Sequence, residues 1–190
     1  MTSPDPDLAS HLQRQYFYYF LRRVFAHLHP GEPFLEAPHV EAMCFALQEV
    51  AEALVRNLLI TLPPRYLKSE TVSVAFTAWI LGHHPEKKIL VASYGQELAA
   101  KLARDFRRVV ESEWYQRLFP AMRIDERRNT ALEVETTRRG CRKAISPGGA
   151  VTGFGADITI VDDLAKAEDA QSESARRAVR SSTARLSTRG

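Results

Sequence analysis

From residue 57 onward the chain repeats one pattern, in which a short apolar run of strand length is followed by a connection and then a segment of helix length. The runs are NLLITL (57–62), KKILVAS (87–93) and ADITIVDD (156–163). Such alternation buries each strand beneath helical crossovers, so it predicts an α/β fold with a mostly parallel sheet flanked by helices. The segment after the first run, SETVSVAFTAWILG, is apolar nearly all round, as a helix packed against a sheet must be. Segment 96–111 instead places Leu98, Leu102, Phe106, Val109 and Val110 on one face and Lys101, Arg104 and Arg108 on another. An aromatic turn, WYQRLFP, closes it at Pro120.

Two regions depart from the pattern. TALEVETT (130–137) and CRKAIS (141–146) alternate polar and apolar residues across a short connection, which predicts an antiparallel pair. Residues 1–56 read as a helical lead-in to a core that occupies 57–190. It holds an aromatic helix broken after His29 by Pro30-Gly31 and a second helix following Pro38, with Val40, Met43, Cys44, Leu47, Val50, Ala51 and Leu54 at the spacing of one face. The tail beyond residue 164 is helical in composition but has little to bury.

The net charge of +3 is too small to argue for a polyanionic partner by itself. Two cysteines, Cys44 and Cys141, form no CxxC pair, which argues against a zinc site or a disulfide framework and for a reducing compartment. The longest apolar run is too short to span a bilayer and the N-terminus lacks the order of a signal peptide, so no membrane is expected and the chain reads as cytoplasmic.

The stretch LLITLPPRYLKSE (58–70) runs as a phosphate-binding loop does: an apolar strand, a tight loop, then Lys-Ser at the start of a helix. Such a loop converges backbone N–H groups on the phosphates, sends a Lys to their oxygens and offers a hydroxyl to Mg²⁺. Pro63 and Pro64 lack N–H donors, so the cradle falls to residues 65–69. The plainer alternative is a solvated Lys68 beside an N-capping Ser69. A second element stands at the end of ITIVDDL, where Asp162 and Asp163 follow four apolar residues. In nucleotide hydrolases one carboxylate there holds Mg²⁺ through water and the next polarises the attacking water. The alternative is a strand end turning into solvent on acidic capping residues.

Taken together, LLITLPPRYLKSE, ILVASYGQELAAKLARDFRRVVES, GGAVTGFGADITIVDD and AKAEDAQSESARR resemble the N-terminal ATPase domain of the large terminase subunits of tailed bacteriophages, as does the lead-in HPGEPFLEAPHVEAMCFALQEV. The resemblance implies a P-loop NTPase of the ASCE or RecA-like kind that binds ATP and Mg²⁺ and drives double-stranded viral DNA into a capsid. It implies as partners a portal protein, a small terminase subunit and other copies of the chain in a ring, in the bacterial host cytoplasm. Arg65, Tyr66, Leu67, Lys68, Ser69 and Glu70 would surround the nucleotide, Ser69 and Asp162 would serve the metal, and Asp163 would take the place of the usual catalytic Glu, one methylene shorter.

The family carries Gly where this chain has Leu67. The chain is also expected to stop before the last core strands and before any nuclease domain, leaving the strand at Asp162 without an edge partner; nuclease activity is not expected. The alternatives are an inactive prophage remnant or truncated fragment that keeps the fold without turnover, and a helicase-like, nucleic-acid-dependent ATPase. Tyr94, Gln96 and Thr152 are candidate DNA-facing or nucleotide-responsive residues. So are a minority of the basic residues among Arg104, Arg107, Arg108, Arg123, Arg127, Arg128, Arg138, Arg139, Arg142 and Lys143. His83 and His84 fit a helix end better than a metal.

Overall fold

A computed structural model of the chain describes residues 6–63, 66–93, 95–146 and 154–162. Its contacts divide the chain into two compact units, one of residues 1–83 with 105–121, the other of residues 84–104 with 122–190. No helix among the described residues is long and apolar enough to cross a membrane.

The first unit is helical. It contains α1 (Pro6–Gln15), α2 (Phe17–Leu28), α3 (Pro38–Ala51), a π-helix over Glu70–Phe76 that runs on as α4 (Thr77–His83), the end of α5 (Gln96–Val110) and α6 (Glu113–Leu118). The expected single aromatic helix is two helices, parted at Tyr16, whose backbone is extended. No Gly or Pro breaks it there; packing does. The Phe17 ring meets Phe76 and Trp79 edge-on or tilted, and Phe20 meets Trp114, Tyr115 and Phe119. The Phe17 N–H, freed by the break, donates to Gln48 Oε1 at 3.2 Å. Tyr115 is fully buried and satisfies its hydroxyl by donating to the Ala78 carbonyl at 2.7 Å. WYQRLFP is therefore not a mere turn but mostly α6, capped by the Ser112 hydroxyl, which accepts from the Tyr115 N–H.

The second unit is built on a five-stranded sheet in the order β2-β3-β4-β1-β5, formed by β1 (Lys88–Ser93), β2 (Ile124–Asn129), β3 (Glu133–Thr136), β4 (Cys141–Ile145) and β5 (Ile158–Asp162). β1 is central and pairs in parallel with β4 and β5. β3 pairs antiparallel with both β2 and β4. The sheet is thus mixed, which corrects the expectation of a mostly parallel one. The cause is chain length: the connections 130–132 and 137–140 are too short for the crossover that parallel neighbours need. The core is α/β as expected, with Ala99 and Ala103 of α5 packed on Ala144 of β4.

NLLITL is not a strand. Residues 57–62 lie outside any ladder and Leu59 is 90% exposed, because a strand requires a partner and none pairs with this run among the described residues. β5 correspondingly pairs on one side alone among the described residues, with Val161 at 44% exposure. The two edges of the sheet differ in character. β2 carries Asp125, Glu126, Arg127 and Arg128 and shifts register against β3, devices that keep an edge from pairing further, whereas β5 carries no charge before Asp162.

Candidate functional site

The helix that opens at the end of LPPRYLKSE is preceded by a residue in the left-handed region. Leu67 has φ 57°, and its carbonyl accepts the first helical hydrogen bond, from the Thr71 N–H at 2.9 Å. Left-handed backbone costs a residue with a Cβ about 1–2 kcal/mol and costs glycine nothing. The chain therefore holds at Leu67 the conformation for which a glycine would be chosen. Leu67→Gly should leave stability within about 1 kcal/mol of the parent, because relief of strain offsets the added freedom of the unfolded chain, whereas Leu67→Val should lower it. Urea midpoints of the two variants measure this.

Lys68 and Ser69 form the first helical turn. Ser69 has helical angles (φ −64°, ψ −40°) and its side chain makes no capping hydrogen bond, so the reading of Ser69 as an ordinary N-cap does not hold. Both residues are half-exposed. Tyr66, at 44% exposure, sets its ring edge-on against His39 with centroids 4.9 Å apart. Arg65 lies outside the described residues.

Glu70 turns away from solvent. Its Oε2 is 2.7 Å from His29 Nε2 at the end of α2, and its Oε1 is buried without a hydrogen-bond partner among the described residues, as is the Thr71 hydroxyl. The His29 ring in turn lies 4.5 Å from Phe25. Glu70 thus ties the helix that starts at Lys68 to the end of α2, a role that sequence reasoning did not assign. The seven π-helical residues that start there are a second unforeseen feature, of a kind that recurs at functional sites.

In the second unit Asp162 closes β5, 4% exposed, and its register partner on β1 is Ser93. Asp163, Tyr94 and Thr152 lie outside the described residues. Gln96 is the exposed first residue of α5. Lys68, Ser69 and Glu70 belong to the first unit and Asp162 to the second. No group of three or more His, Cys, Asp or Glu side chains among the described residues is arranged to hold a metal ion. A Mg²⁺ held by one carboxylate, one hydroxyl, waters and phosphate oxygens requires no such group.

The basic residues sort by burial. Arg142, fully buried at 1% exposure, is not a surface contact for DNA; burial lowers its guanidinium pKa to about 9. Lys143 pairs with Glu133 at 3.2 Å and stands over the Phe154 ring at 5.4 Å. Arg127, Arg128 and Arg139 line a cavity of about 500 Å³ with Asp125, Glu135, Thr136 and Thr137, at the opposite edge of the sheet from Asp162. Arg128 pairs there with Glu135 at 3.2 Å. This cavity has mixed charge, and the sheet separates it from Asp162. His83 ends α4 as expected, with Nε2 2.9 Å from the Arg14 carbonyl. No protein-family model matches the chain, and no curated protein sequence matches it.

Proposed function

We propose that the chain is the ATPase portion of a phage terminase large subunit, binding ATP with Mg²⁺ and using its hydrolysis to move double-stranded DNA. The observation that carries this reading is the left-handed Leu67 directly before a helix whose first residues are Lys68 and an uncapping Ser69. Costly backbone conformations persist only where the surrounding structure holds them, and they cluster at ligand clamps and active sites; Ala53 and Arg139 share the left-handed region, but only Leu67 directly precedes a Lys-Ser helix start.

In this reading the Lys68 ammonium meets the β- and γ-phosphate oxygens, and the backbone N–H groups around it add to the positive end of the helix. Ser69 would offer its hydroxyl, and Asp162 its carboxylate, to the cation. When bound, Mg²⁺ neutralises charge on the phosphates. Asp163 orients the attacking water and accepts its proton. Tyr66, and by the resemblance Arg65, would flank the phosphates, and Glu70 fixes the helix start through His29. The strain at Leu67 draws on the free energy of folding, so the loop is less secure than a glycine loop and turnover by the isolated chain is expected to be slow.

DNA would be held through its phosphates by exposed arginines such as Arg104, Arg127 and Arg139, with affinity falling steeply with salt. The test is ATP turnover by the full chain with Mg²⁺ and duplex DNA. Asp163→Asn should leave ATP binding unchanged and remove any measurable hydrolysis. Hydrolysis that persists in Asp163→Asn contradicts the catalytic role; turnover stimulated equally by a single strand favours the helicase-like alternative.

A further inference from the structure

The register of the sheet brings Ser93 and Asp162 together in a way that the motif reading did not use. β1 and β5 are parallel, with Ile89 opposite Ile158, Val91 opposite Ile160 and Ser93 opposite Asp162. Residues directly opposite one another on neighbouring strands project from the same face. One face therefore carries two apolar rows and ends, at the carboxyl ends of both strands, in a hydroxyl beside a carboxylate. Ala144, opposite Val91 on β4, lies on this face too, and it packs against Ala99 and Ala103, so α5 covers it.

Ser93 is completely buried, and its hydroxyl has no hydrogen-bond partner among the described residues. A hydroxyl so placed costs about 1–3 kcal/mol relative to a satisfied one, and native proteins keep few of them without a reason. Packing supplies no reason, since the preceding residues Val91 and Ala92 show that apolar side chains suit the strand. Position does: in open α/β sheets, ligands bind beyond the carboxyl ends of parallel strands.

We propose that Ser93 is a positioning residue for a hydrated divalent cation at Asp162. The Asp162 carboxylate attracts the ion, and the Ser93 hydroxyl hydrogen-bonds to one of its water molecules. Mg²⁺ gives up its water reluctantly and keeps several molecules when protein-bound, so polar groups just beyond the direct ligands hold it as well. The identity of the cation rests on the nucleotide-hydrolysis reading above; the role of Ser93 rests on the register and the buried hydroxyl.

The test uses Mn²⁺ alone as the probe of the full chain, with free Mn²⁺ followed by electron paramagnetic resonance and thermal unfolding measured in metal-free buffer. Asp162→Asn should remove the tight Mn²⁺ site. Ser93→Ala should weaken it roughly 10-fold, the lower end of the loss typical for outer partners, and Ser93→Thr, which keeps the hydroxyl, should restore most of the affinity. Without metal, Ser93→Ala should unfold at the same temperature as the parent or higher, because it removes a buried hydroxyl that has no hydrogen-bond partner among the described residues. A Ser93→Ala chain that binds Mn²⁺ like the parent, or one that is destabilised in metal-free buffer, overturns the assignment of Ser93. Parent-like binding by Asp162→Asn, or no binding by the parent, instead overturns the cation reading at Asp162 itself.

Discussion

Lys68→Ala is expected to weaken ATP binding by roughly 10- to 100-fold, the loss of a charge-assisted hydrogen bond worth about 1.5–3 kcal/mol. The side chain is half-exposed and sits in the first turn of a helix, where Ala is at least as good a helix former as Lys. The fold should therefore be indifferent to the change, and the thermal midpoint should move by no more than a surface substitution usually moves it. That separation matters because many substitutions weaken binding by unfolding the protein. Equilibrium dialysis against ATP, with circular dichroism on the same sample, distinguishes the two. Unchanged binding in a folded Lys68→Ala chain would remove Lys68 from the phosphate site.

Gly140→Ala should be the most damaging small substitution in the sheet unit. A Cβ at Gly140 would press on the backbone carbonyls of Pro85 and Lys87, with the Lys87 oxygen 2.6 Å away. Neither is a flexible side chain that can swing aside. The approach is close because Thr136, buried at the β3–β4 connection, gathers this region: its hydroxyl donates to the Pro85 carbonyl and accepts from the N–H groups of Arg138 and Gly140. The Cys141 N–H donates to the Lys87 carbonyl at 3.0 Å and extends the same seam into β1 and β4. Making room for a methyl group would part the chain entering β1 from that connection, at a cost of about 3 kcal/mol or more. Urea unfolding of Gly140→Ala checks it. A midpoint equal to that of the parent would mean that the two segments are not in this contact.

The elements that the sequence disclosed and those it hid differ for physical reasons. β1, α3 and α5 carry their periodicity openly, since each buries a row of apolar residues, and β5 is marked by its β-branched run Ile158–Val161. β2 was illegible because IDERRN is a charged edge strand with almost nothing to bury. The run at 57–62 misled for the opposite reason: it has the composition of a strand but no neighbour to pair with among the described residues. The break at Tyr16 is enforced by aromatic packing from distant residues, which leaves no local signal.

Of the candidate site, Lys68, Ser69 and Asp162 were marked by their place after apolar runs. The left-handed backbone at Leu67 could only be framed as a question from the sequence, and the structure answers it. The contact of His29 with Glu70 and the pairing of Ser93 with Asp162 depend on register and on residues far apart in the chain, which no spacing rule reveals.

The most direct measurement of the central claim is calorimetric titration of the full parent chain with ATP, in Mg²⁺ and again in EDTA. The account predicts saturable binding of one ATP per chain in Mg²⁺ that weakens sharply when the cation is removed. Absence of binding by a folded chain in Mg²⁺, or binding indifferent to EDTA, would contradict it.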